Sequence, residues 1–210
     1  RYVDWHELLE KEKDKIDAVV VSVPDHHHAL IAVAAMDLGK HVYCQKPLAK
    51  TVYEVRAMLD ASRRNRVVTQ MGTQAHPTYA RTAELIQKGL IGAVKEVHVV
   101  TDRPIWPQGM TMRPAPQAPP ATLAWDLWLG PAPERSYNAA YCPFSWRGWW
   151  EFGTGALGDM ACHLMDAAFW ALDLRQPSSI AARCDMILPE CAPKWSVIEY
   201  DFAARKGNGP

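Results

Sequence analysis

The stretch that most limits the fold is IDAVVVSV, residues 16–23, a run dominated by β-branched side chains. A half-wet strand alternates apolar and polar residues, whereas a continuous run suits a strand covered on both faces, as in a parallel sheet. The following DHHHALIAVAAMDLGK repeats apolar residues at helical spacing, with Asp25 placed to cap it and Gly39 to close it in the left-handed conformation. A short strand, HVYC, comes next. Thr51 and Glu54 then spell a capping box for a helix to about Arg64, and RVVTQMGTQ reads as a third strand. One more helix starts at His76-Pro77 and stops at Gly89. Three strand–helix alternations define a right-handed parallel α/β sheet. In front of it, Glu7, Lys11 and Lys15 mark the solvated face of a surface helix.

Open sheets of this kind bind ligands beyond the carboxyl ends of their strands. Three such ends read Pro24-Asp25, Gln45-Lys46-Pro47 and Thr73-Gln74, so these loops are expected to share one lip. The Lys-Pro step is unusual there, because it sets a charge directly behind an apolar strand.

After Gly92 the character changes, dividing the chain into residues 1–91 and 92–210. AVKEVHVVTDR alternates like a half-buried strand, and residues 104–120 hold six prolines, which exclude regular structure. Seven of the nine tryptophans fall between Trp106 and Trp170, where an aromatic loop runs into a helix. SSIAARCDMILP and KWSVIEYDFAA read as strands of an incomplete antiparallel sheet. The expected fold is therefore a Rossmann-type parallel sheet, truncated at its N-terminus, followed by part of an α+β domain with a largely antiparallel sheet.

Charge and cysteine content remove several functions. With 23 basic and 23 acidic side chains there is no electrostatic footprint for nucleic acid or an anionic membrane, and no apolar run reaches the roughly 18 residues of a spanning helix. Five cysteines without a C-x-x-C pair speak against a zinc site and a disulfide framework, leaving reduced, buried thiols. Arg1 and Asn208-Gly209-Pro210 suggest a chain cut at both ends. The compartment stays open: cytoplasm by default, export if a signal precedes Arg1.

Four clusters bear on chemistry. Gly153, Gly155 and Gly158 spell the dinucleotide fingerprint G-x-G-x-x-G, but WRGWWEF rather than a strand precedes them, so they are expected to serve as a flexible helix entry. Asp159 and His163 stand four apart on one helix, with Asp166 and Trp170 continuing the stripe. A carboxylate that orients an imidazole builds a general base; it also satisfies a histidine at a domain edge, and spacing does not choose. His26, His27 and His28 point about 100° apart on a helix, which argues against a shared metal. Trp146, Trp149 and Trp150 around Arg147 suit either a core or a platform for a sugar ring, with Arg147 and Trp149 as substrate-binding candidates.

Taken in order, PDHHH, CQKPLA and GALGDMACH resemble the Gfo/Idh/MocA family of NAD(P)-dependent oxidoreductases. The resemblance implies hydride transfer between NAD or NADP and a sugar, sugar derivative or cyclitol. It assigns Pro24, Asp25 and His28 to the nicotinamide half of the cofactor, Gln45 beside Lys46 to a ribose hydroxyl, and Gln74 to a place near the nicotinamide or the substrate. It assigns Lys46 to the reacting carbon's oxygen and Asp159 with His163 to acid–base catalysis. Gln45 stands where the family carries glutamate, so it accepts a hydrogen bond without supplying charge. The family's glycine-rich pyrophosphate turn is missing, so NAD and NADP are not distinguished and the chain alone is expected to bind dinucleotide weakly. The implied partners are a small sugar-like substrate and a second copy of the protein, docked through the C-terminal sheet. Two other readings stand beside this one: an NAD-dependent glycoside hydrolase using transient sugar oxidation, and a non-catalytic sugar- or nucleotide-binding module.

Overall fold

A computed structural model describes residues 1–73 and 77–204. Helix α1 (Trp5–Glu12) is capped by Asp4, whose carboxylate accepts from the His6 amide, and carries an exposed Glu7–Lys11 ion pair. Strands β1 (Ala18–Val21), β2 (His41–Gln45) and β3 (Thr69–Gly72) form one parallel sheet in that order. Helices α2 (Asp25–Asp37) and α3 (Val52–Asn65) make the two crossovers, and α4 (Pro77–Gln87) follows β3.

The capping box forms as read: Thr51 Oγ1 accepts from the Glu54 amide at 3.1 Å, and the Glu54 carboxylate accepts from the Thr51 amide at 2.8 Å. Asp25 departs from expectation. Pro24 holds the N-cap position and Asp25 is the first helical residue, because its carboxylate is engaged elsewhere.

The expectation that the first strand is covered on both faces is corrected. Val21, Val42 and Cys44 are buried against Ile31, Ala32, Ala35 and Met36 of α2 and Met58 and Ala61 of α3. The other face carries Val20, 68% exposed, with Tyr43 and Met71 also exposed. Two successive right-handed crossovers in the same direction put both helices on the same side of the sheet.

The second region is held by aromatic packing. Trp125, Tyr137, Tyr141, Trp146, Trp149 and Phe152 form a continuous buried cluster, with Tyr141 edge-on to Trp149 at 4.9 Å and Trp128 edge-on to Phe152 at 4.8 Å. Irregular chain and the short helix α5 (Trp125–Leu129) build it, and residues 104–120 hold no helix or strand, as their prolines require. The alternating stretch 93–103 is not a strand: among the described residues it finds no partner ladder, and alternation cannot supply one. The Asp159–His163 helix is broken at Met165 into α6 (Gly155–Leu164) and α7 (Asp166–Ala171), and α4 packs on α7 through Ala83, Ala171 and Leu172. Strands β4 (Ser179–Cys184) and β5 (Ser196–Asp201) pair antiparallel as expected.

Candidate active site

Hydrogen bonds clamp the sheet lip to the aromatic region and to α6. The His26 amide donates to the Phe152 carbonyl at 3.2 Å, and Lys50 Nζ donates to the Glu151 carbonyl at 2.7 Å. Lys46 Nζ donates to both Asp159 Oδ1 at 2.8 Å and the Asp159 carbonyl at 3.0 Å. The end of β2 thereby meets the first turns of α6, 113 residues away in sequence. The Lys46–Pro47 peptide is cis.

The lysine opens into a cavity of about 300 Å³ whose polar lining is Lys46, Arg103, Arg147, Asp159 and His163. Ile105, Trp106, Phe144 and Met160 supply its apolar walls. The volume lies at the low end for small-molecule sites and suits a monosaccharide-sized ligand. Arg147 Nε lies 3.5 Å from Asp159 Oδ1, and its guanidinium sits 4.3 Å from the Trp146 ring centroid. Asp159 therefore serves two cations, and among the described residues no hydrogen bond joins it to His163. The two residues share the cavity, but the carboxylate that spacing offered to orient the imidazole is committed to Lys46. Burial, with Lys46 adding, lowers the His163 pKa from its ordinary value while Asp159 pulls the other way, which keeps the ring neutral and able to accept a proton near neutrality.

Around the lip the side chains turn inward. Asp25 is buried, its Oδ2 accepting from Thr154 Oγ1 at 3.1 Å. Burial pushes the Asp25 carboxyl up to about 7, with Asp159 adding and Thr154, Lys46 and Arg147 opposing. His28 is 1% exposed and spans two strand exits, Nδ1 facing the Pro47 carbonyl at 2.7 Å and Nε2 the Val23 carbonyl at 2.8 Å. Burial lowers its pKa although both carbonyls favour the protonated ring. His26 also places both ring nitrogens on carbonyls, of Phe152 and Trp128, and burial holds it near 3. The histidine run fastens α2 to its surroundings.

Gln45 ends β2 and lies across Gly72 of β3, where an added Cβ would approach Gln45 Cδ to 2.8 Å. It does not line the cavity; Gln74 falls outside the described residues. The structure does not bring Trp149 to the cavity either. It is 1% exposed, its indole N–H donating to the Ala140 carbonyl at 2.9 Å inside the aromatic core. Trp106 and Phe144 take the wall position instead, together with Arg103. Nothing periodic marks them, since all three sit in irregular chain.

No strand delivers the chain to the misplaced fingerprint, but the flexible helix entry expected of it is corrected to a tightly packed one. Turns precede Gly153, and a Cβ there would fall 2.6 Å from Arg147 Cα, so the glycine lets the chain pack against Arg147. Lys46 at the β2 exit and Asp159 and His163 on α6 gather polar groups at one end of a nicotinamide-sized site. Among the described residues neither the β1–α2 nor the β2–α3 turn carries the glycines that would cradle a pyrophosphate.

Comparison with known proteins agrees with this fold. Residues 1–73 match the oxidoreductase family's NAD-binding Rossmann fold, and residues 78–206 match its C-terminal alpha/beta domain. The chain is 27% identical over 209 residues to a levoglucosan dehydrogenase of Pseudarthrobacter phenanthrenivorans, covering 99% of this chain and 45% of that protein. An inositol 2-dehydrogenase of Salmonella typhimurium is 32% identical over 100 residues, 46% of this chain and 29% of that one. A solved levoglucosan dehydrogenase, in complex with NADH and levoglucosan, superposes with a TM-score of 0.57 at 25% identity, over 96% of this chain and 48% of that chain. The chain thus spans about half the length of the levoglucosan dehydrogenases it matches. With the two domain models matching residues 1–73 and 78–206 in order, the chain belongs to the Gfo/Idh/MocA oxidoreductase family.

Proposed function

We propose that the gene product carrying this chain transfers hydride between a nicotinamide cofactor and a secondary alcohol or ketone of a sugar or cyclitol. The observation that carries this reading is the convergence of Lys46, Asp159 and His163 on one cavity at the strand exits. A bound nicotinamide would supply the hydride acceptor. Of the three Lys46 N–H donors two are used by Asp159, and the third, without an acceptor among the described residues, is available to the substrate oxygen, where it stabilises the developing alkoxide. Asp159 holds the ammonium in place. Neutral His163, in the same cavity, takes the hydroxyl proton as the carbon loses hydride. Arg147 stands on the substrate side, and Pro24, Asp25 and His28 shape the nicotinamide side, the last two by fixing the lip.

In the full-length gene product, Lys46→Ala and His163→Ala are each expected to lower turnover by about 10²–10⁴-fold with circular dichroism unchanged. NADH absorbance against a panel of sugars and cyclitols reads it; full activity in either variant would sink the assignment. Aglycone release without net NADH would instead favour the glycosidase reading.

A further inference from the structure

Charge around the cavity does not balance. The whole sequence is neutral, 23 basic against 23 acidic residues, yet the cavity lining sets Lys46, Arg103 and Arg147 against Asp159 alone. Lys46 and Arg147 both address the same atom, Asp159 Oδ1, at 2.8 and 3.5 Å, so one negative charge faces two of the three cations. The Arg103 guanidinium has no ion-pair partner among the described residues. Arg147 is held in place rather than trailing into solvent: its Nη1 donates to the Phe144 carbonyl at 3.0 Å, and its guanidinium stacks over Trp146 at 4.3 Å and Phe144 at 4.8 Å. Most of its five N–H donors still lack an acceptor among the described residues.

A concave site lined by one sign of charge concentrates ligands of the other sign, and guanidinium forks match the paired oxygens of carboxylate and phosphate. A neutral polyol needs acceptors for its several hydroxyl protons, and besides the His163 ring this lining offers one already-engaged carboxylate. Trp106 and Phe144 can cover the apolar face of a sugar ring.

Resting on the dehydrogenase reading above, we propose that the substrate is an anionic sugar, a monosaccharide-sized polyol whose carboxylate or phosphate seats on Arg103 and Arg147 while its reacting carbinol lies at Lys46 and His163.

The test uses the full-length gene product with saturating NAD and matched compounds: glucose and myo-inositol as neutral probes, glucuronate and gluconate as carboxylates, glucose 6-phosphate as a phosphate. The expected result is at least a tenfold higher kcat/KM for a carboxylate or phosphate compound, which also tells the two anions apart, and a preference that weakens as salt is raised. Arg103→Gln and Arg147→Gln should each lower kcat/KM for the anionic compound at least tenfold more than for its neutral counterpart. Neutral compounds turned over as well as anionic ones, or an anion preference untouched by both variants, would overturn the proposal and leave the dehydrogenase reading standing. Calorimetric binding of the same pairs covers the opposite case. Tenfold tighter binding of the anions without hydride transfer supports the anion site and sinks the dehydrogenase reading, whereas no anion bound more tightly than its neutral counterpart overturns the proposal.

Discussion

The two cores of this molecule are built from opposite materials. Around α2 and α3 the interior is small and aliphatic, Val21, Ala32, Ala35, Met36 and Ala61, in elements whose backbone hydrogen bonds repeat. Around residues 106–152 it is a cluster of large rings in chain with almost no regular structure, where indole N–H groups bond to backbone carbonyls, Trp125 to Arg135 at 2.8 Å and Trp149 to Ala140 at 2.9 Å. The difference shows a division of labour. The regular core places a lysine at a strand exit, and the aromatic core holds irregular loops stiffly enough to set Arg147, Trp106 and Phe144 around it.

The comparison breaks most sharply by truncating each core in turn. Phe152, fully buried and in ring contact with Trp125, Trp128 and Tyr141, is expected to cost about 3–5 kcal/mol as Phe152→Ala, and to loosen the clamp on α2 as well. Met36→Ala, equally buried but in an adaptable aliphatic setting, should cost less, about 2–3 kcal/mol. Denaturant titration followed by tryptophan fluorescence measures both. A Phe152→Ala variant as stable as the wild type would mean the rings are not what holds the loops.

The seam between the cores is sharpened by pH. Asp25, held near 7 in the fold against about 4 unfolded, stabilises below pH 4 and loses that contribution as pH rises through 7. His26, held near 3 against about 6.5 unfolded, acts in the other sense: it stabilises above pH 6.5 and loses this as pH falls toward 3, and His27 and His28 are shifted the same way. In the wild type the two trends oppose between pH 4 and 6.5. Asp25→Asn removes one of them, so stability should fall with acid more steeply, by on the order of 1 kcal/mol per pH unit. Urea unfolding at pH 4.5, 5.5 and 6.5 reads this out, and parallel slopes for variant and wild type would refute it.

The smallest effect concerns the regular region alone. Thr51→Ala removes one half of a capping box seen in full and is expected to cost about 1 kcal/mol, with no change at the cavity beyond that loss. A thermal melt settles it, and a change in the aromatic fluorescence of the native state would show the two cores to be coupled more tightly than their contacts imply.

Much of this was legible in the residues alone, for reasons that differ by element. The helices at 25–37 and 52–65 and the three parallel strands follow from local signals, β-branched runs, helical spacing and the Thr51–Glu54 box, because these act over a few residues. The ordered motifs likewise brought Lys46, Asp159 and His163 into one hypothesis. What local signals cannot carry is a partner: among the described residues the alternating stretch 93–103 has a strand's pattern and no ladder, and Val20 stays exposed although its strand reads as doubly covered. Tertiary packing alone decided that Trp149 is core while Trp106 and Phe144 are wall, that Asp159 faces Lys46 rather than His163, and that Arg103 joins the cavity. The Lys46–Asp159 contact joins residues more than 100 positions apart, and no short-range pattern encodes which charge a carboxylate will meet across that distance.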